Sequence, residues 1–105
     1  MELRISVSEL AKSLSKVIGI IPKKNTNPIL LNVLLEAKIT DQGQGQIILS
    51  ATDLNISIQL VKSCEVITPG SVAVGVRSIA DMVRVLSGPD VTLKLLDNNH
   101  LEVKC

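Results

Sequence analysis

The chain has 105 residues, 11 Lys and Arg against 10 Asp and Glu, a net charge of +1, and no Phe, Tyr or Trp. That length suffices for one domain around a single core, and a hydrophobic fraction of 46% marks a globular rather than a disordered chain. The near-neutral balance excludes a strongly basic protein and leaves only a local basic face open. The lack of aromatic rings argues against the usual single-strand nucleic-acid binder, which stacks bases on them. No apolar run approaches the ~18 residues of a membrane span, and Glu2 and Arg4 interrupt any signal-peptide layout. Cys64 and Cys105 do not make a disulfide scaffold. A cytoplasmic, reducing setting is the expectation.

Met1, Leu3 and Ile5 alternate with Glu2 and Arg4, which predicts a short strand. Ser6-Val7-Ser8-Glu9 has capping-box spacing, with Ser6 as N-cap and Glu9 at the third helical position. Val7, Leu10, Ala11, Leu14, Val17, Ile18 and Ile21 then form a helical stripe that Pro22 ends. Ser8, Lys12, Ser13, Ser15 and Lys16 fall on the opposite face. Lys23 and Lys24 open a basic, polar turn, and Pro28 fits the first residue of a strand. Ile29, Leu31, Val33, Leu35, Ala37 and Ile39 give that strand one fully apolar face.

Residues 41–45, Asp-Gln-Gly-Gln-Gly, form a turn cluster. Ile47, Leu49 and Ala51 begin the next strand, and Thr52-Asp53 reads as a tight connection. Leu54, Ile56, Ile58 and Leu60 alternate with Asn55, Ser57 and Gln59, and a turn follows at residues 68–71. The second half starts with a strand carrying Val72, Val74 and Val76. A helix from about Arg77 to Leu86 comes next, with Ile79, Met82, Val83 and Leu86 apolar and Arg77, Asp81 and Arg84 polar. Gly88-Pro89 closes it. Val91, Leu93 and Leu95 form a strand, residues 97–99 turn, and Leu101, Val103 and Cys105 form another.

The halves therefore read strand, helix, strand, strand, strand, and then strand, helix, strand, strand. The second is one strand short. A missing strand leaves an unpaired edge, which proteins normally cover, so a fragment, or a chain completed by a partner, is expected.

Convergent reactive groups are scarce. His100 shares the polar side of the last strand with Glu102 and Lys104 and reads as a solvated histidine. Cys64 has no His at local metal spacing and reads as a small core residue, and Asp53 reads as a turn residue. Gly43-Gln44-Gly45 lacks the Lys and helix of a phosphate loop. No catalytic residue, metal site or cofactor is expected. The basic residues say more. Lys12 and Lys16 lie one turn apart, Lys23 and Lys24 follow the first helix, and Arg77 and Arg84 share a face of the second. With the two helices side by side, these six would line one surface able to touch phosphates without reading sequence. Ordinary solvated helix faces are the alternative.

The segments Leu10-Ala11-Lys12, Asn27-Pro28-Ile29-Leu30-Leu31-Asn32-Val33-Leu34-Leu35, Leu49-Ser50-Ala51-Thr52-Asp53-Leu54-Asn55-Ile56 and Arg77-Ser78-Ile79-Ala80-Asp81-Met82 carry a resemblance. In element order and in these motifs the whole chain resembles the amino-terminal domain of the bacterial DNA polymerase III beta subunit, the sliding clamp. The resemblance implies an α+β processivity-clamp domain spanning residues 1–105, two helices on one side backed by antiparallel β-sheets, with the last strand missing. In that family a subunit has three such domains, and a homodimer closes a ring around duplex DNA, helices inward. It holds the replicative polymerase to its template without catalysing anything. Lys24 and Arg77 then fall on DNA-contacting positions, with Lys23, Lys12, Lys16 and Arg84 as further candidates. Ser78 and Met82 fall near the subunit interface. The family's next strand carries an aromatic residue and helps form that interface. The peptide pocket for the polymerase and other partners, as for the clamp loader, belongs to domains not in this sequence. The rival expectation is a protein-interaction module that accepts a strand at residues 101–105.

Overall fold

Period-two alternation shapes most of this chain. The computed structural model describes residues 1–19, 32–52, 57–86 and 88–105. In chain order its elements are β1 (Glu2–Ser6), α1 (Val7–Gly19), β2 (Asn32–Ile39), β3 (Gly45–Thr52), β4 (Ser57–Ser63), β5 (Glu65–Thr68), β6 (Gly70–Gly75), α2 (Val76–Arg84), β7 (Asp90–Leu95) and β8 (Leu101–Lys104). The helix end at Pro22, the turn with Lys23, Lys24 and Pro28, the strand start at Ile29, and the Asp53 connection with Leu54 and Ile56 lie outside the described residues.

Two antiparallel four-stranded sheets result, in the orders β5-β1-β7-β8 and β4-β3-β2-β6. The two halves of the chain interlock. The strand before each helix pairs with a strand of the other half: β1 lies between β5 and β7, and β6 lies beside β2. Register pairs the core residues across strands, Leu3 with Leu93 and Ile5 with Val91 in the first sheet, Leu35 with Leu49 and Ala37 with Ile47 in the second. Leu10, Leu14 and Val17 of α1 and Val76, Ile79, Ala80 and Val83 of α2 complete one all-aliphatic cluster. The two helices also pack against each other.

Several expectations are corrected. Strand β5 was not foreseen. Ile58, Leu60, Cys64 and Val66 all pack toward the core in unbroken phase, but Lys62 interrupts the apolar pattern. The chain also changes sheets at Cys64, since β4 pairs with β3 whereas β5 pairs with β1. Gly45 makes that corner possible. Its carbonyl accepts the Cys64 N–H at 3.1 Å, and a Cβ there would collide with the Cys64 carbonyl and lie 2.8 Å from the Val66 nitrogen. Ser13 is buried, not on the polar face, because its hydroxyl donates to the Glu9 carbonyl at 2.9 Å and thus satisfies itself within the helix. Ile39 is 48% exposed, since it ends its strand opposite Gly45. Val76 starts α2 rather than ending β6, and α2 stops at Arg84.

Candidate nucleic-acid interface

Ser6, the residue before helix α1, caps it: its Oγ accepts the Glu9 N–H at 3.4 Å, one half of the expected capping box. The reciprocal half is replaced. The Glu9 carboxylate turns toward β4 and pairs with Lys62 at 3.6 Å. Leu10, Ser13, Leu14 and Val17 face the core, which leaves Ser8, Lys12, Ser15 and Lys16 exposed along the outer stripe. Lys12 and Lys16 make no ion pair among the described residues.

Helix α2 buries Val76, Ile79, Ala80 and Val83 and exposes Arg77, Ser78, Asp81, Met82 and Arg84. Arg84 pairs with Asp81 at 3.5 Å, both side chains more than 70% exposed. Arg77 makes no ion pair among the described residues. Packing thus lays the two helices together with Lys12, Lys16, Arg77 and Arg84 on their outer faces. Lys23 and Lys24 lie outside the described residues. The acidic partners Glu9 and Asp81 set how much of this charge stays uncompensated. Asp81 sits three residues before Arg84 and was legible as a partner. The Glu9–Lys62 pair spans two elements far apart in sequence and was not.

Met82, expected in the apolar stripe, is 47% exposed. Its side chain lines a groove of about 110 Å³ with Val74, Gly75, Ser78, Ile79, Leu101 and Val103. The groove lies where β6 and β8 end their respective sheets, so both residues expected near a subunit interface, Ser78 and Met82, line it. The outer edge of β8 is unpaired among the described residues, at the place where β4 flanks β3 in the other sheet.

Reactive groups do not converge. Among the described residues no three His, Cys, Asp or Glu side chains gather at metal-binding range. His100 is exposed in the β7–β8 turn, where its N–H donates to Asn98 Oδ1 at 3.2 Å. Cys64 packs on the core, and burial pushes its thiol up to about 11, so it is protonated and a poor nucleophile near neutrality. Among the described residues no helix is long and apolar enough to cross a membrane.

Residues 1–105 match the family of the DNA polymerase III beta subunit, N-terminal domain. The chain belongs to that family. It is 35% identical over 95 residues to the beta sliding clamp of Synechococcus elongatus, an alignment covering 90% of this chain and 24% of the relative. With the beta sliding clamp of Caulobacter vibrioides it shares 33% over 94 residues, covering 89% and 24%. The crystal structure of the sliding clamp from Caulobacter crescentus superposes with a TM-score of 0.81 at 31% identity over 99% of this chain and 27% of that one. A Helicobacter pylori beta clamp at 20% identity superposes equally well, with a TM-score of 0.81, which speaks for the fold alone. The chain spans about a quarter of the length of these relatives. The clamp-domain architecture expected from sequence, two helices with antiparallel sheets, is thus the architecture of the family.

Proposed function

We propose that this chain acts as the amino-terminal domain of a DNA sliding clamp, contributing sequence-neutral contacts to duplex DNA as part of a cytoplasmic processivity factor, with no catalysis of its own. The observation that carries the reading is the family match over the entire chain, on a fold that lays two helices together with basic outer faces. Lys12, Lys16 and Arg77 are the unpaired phosphate contacts among the described residues, and Arg84, paired with Asp81, is a weaker one. Lys23 and Lys24 extend the set by resemblance. Lysine holds a phosphate as a point charge rather than through a fork, which suits a protein that must slide. A ring retains DNA by linkage, so weak contacts suffice, in keeping with a net charge of only +1. In this reading a homodimeric ring, the replicative polymerase and the clamp loader are engaged through further domains, and Ser78 and Met82 belong to the subunit interface.

The test is a salt series of duplex binding by a complete clamp of which this chain forms the amino-terminal domain, wild type against Lys24→Ala/Arg77→Ala. The slope of log affinity against log salt should fall by roughly two units, about one for each lost phosphate contact. Unchanged affinity at low salt would refute the assignment. The groove beside β8 favours a second reading, a module that binds an extended peptide at that edge. Chemical-shift changes confined to Leu101–Lys104 on adding a strand-forming peptide, with no response to DNA at any salt, would select it.

A further inference from the structure

The two outer helix faces differ in how their charge is compensated. On α1 the single acid, Glu9, is drawn toward β4 by Lys62, and Lys12 and Lys16 stand without an ion pair among the described residues. On α2 the acid stays on the outer face. Asp81 lies one turn beyond Arg77 and three residues before Arg84, and its carboxylate pairs with Arg84. We infer that Asp81 is a positioning residue of the proposed DNA face: it draws the Arg84 guanidinium along the helix and offsets part of its charge, so that α2 meets the phosphate backbone chiefly through Arg77. This rests on the reading that the helix faces meet duplex DNA.

The size of the effect follows from exposure. Both side chains are more than 70% accessible, and an exposed pair of this kind shifts a local balance by no more than about fivefold. Arg84 is therefore dimmed rather than locked. A phosphate can compete for the guanidinium, but the carboxylate beside it repels that same phosphate. Both effects lower affinity, and they separate in a double-mutant cycle. Moderated attraction suits a surface that must move along DNA, because each contact added to a sliding interface slows its release.

The experiment uses a complete clamp of which this chain forms the amino-terminal domain and a fluorescently labelled duplex, with binding read by anisotropy from about 20 mM salt upward. Asp81→Asn should tighten binding by roughly twofold to fivefold at the lowest salt and steepen the salt slope by up to about one unit, the signature of one more phosphate contact. Arg84→Ala should weaken binding by less than Arg77→Ala does, and in its background the gain from Asp81→Asn should shrink to the part owed to direct repulsion. Asp81→Ser should behave as Asp81→Asn does, and thermal unfolding checks that each variant folds. The proposal is overturned if Asp81→Asn leaves affinity and slope unchanged, or if its gain persists undiminished in the Arg84→Ala background, which would assign the effect to direct repulsion. Failure of the underlying reading looks different. In that case Lys12→Ala with Lys16→Ala leaves the salt slope unchanged, or the wild type does not bind even at the lowest salt, and both readings fall together.

Discussion

Gly45 is the position where a single methyl group should do most damage relative to its size. Here β3 lets the β4–β5 corner come within backbone contact. A Cβ at Gly45 would overlap the Cys64 carbonyl and lie 2.8 Å from the Val66 nitrogen and 3.1 Å from a Val66 methyl. Two of those three neighbours are backbone, so no rotamer change relieves the overlap. The corner must retreat, and the bond from the Cys64 N–H to the Gly45 carbonyl at 3.1 Å is lost or stretched. Overpacking of this kind costs about 1–3 kcal/mol, and a lost backbone hydrogen bond adds about 0.5–1.5 kcal/mol. Gly45→Ala should therefore destabilise by about 2–4 kcal/mol. At about 4–8 °C per kcal/mol for a domain of this size, the midpoint should fall by about 8–32 °C. The chain has no aromatic residue, so the assay is far-ultraviolet circular dichroism rather than intrinsic fluorescence. Gly43→Asn is the control. Gly43 has φ of 80° and nothing within 4 Å among the described residues, and Asn tolerates the left-handed region. Its loss should stay within about 1 kcal/mol. A Gly45→Ala midpoint no lower than that of Gly43→Asn would refute the close-approach argument.

Other outcomes follow from burial. Leu35, fully buried and paired with Leu49 and Val72, should lose about 2–5 kcal/mol on substitution by Ala, measured by urea unfolding. Ser13→Ala should change stability by less than about 1 kcal/mol despite complete burial, because the Glu9 carbonyl it abandons also serves the helix and Ala is the better helix former. Cys64 carries a pH signature. Its folded thiol holds its proton up to about 11 whereas the ordinary value is 9.0, so above pH 9 the unfolded chain releases a proton that the folded chain keeps. Stability should fall as pH rises through that window, and Cys64→Ala should flatten the fall in pH-dependent melts.

Local chemistry in the sequence was enough for most elements. The apolar stripe of α1, the alternation of β2 and β7, and the turn at residues 40–45, where the Thr40 N–H donates to the Gln44 carbonyl and Gly43 takes positive φ, all follow from neighbours a few residues apart. The basic positions on both helices were legible for the same reason, since the four-residue spacing of Lys12 and Lys16 and the seven-residue spacing of Arg77 and Arg84 each return to one face. What local chemistry could not supply were decisions between distant segments. The change of sheet at Cys64 created β5, because Gly45 from another strand leaves room for it. Met82 and Ile79 are both apolar, three residues apart and on the groove between β6 and β8, yet Ile79 is buried in the core while Met82 stays half exposed. Glu9 was legible as a cap, but Lys62 on β4 claims its carboxylate. Periodicity fixes which face a side chain takes. The partner waiting on that face comes from elsewhere in the chain, and burial and charge compensation are settled only when the two meet.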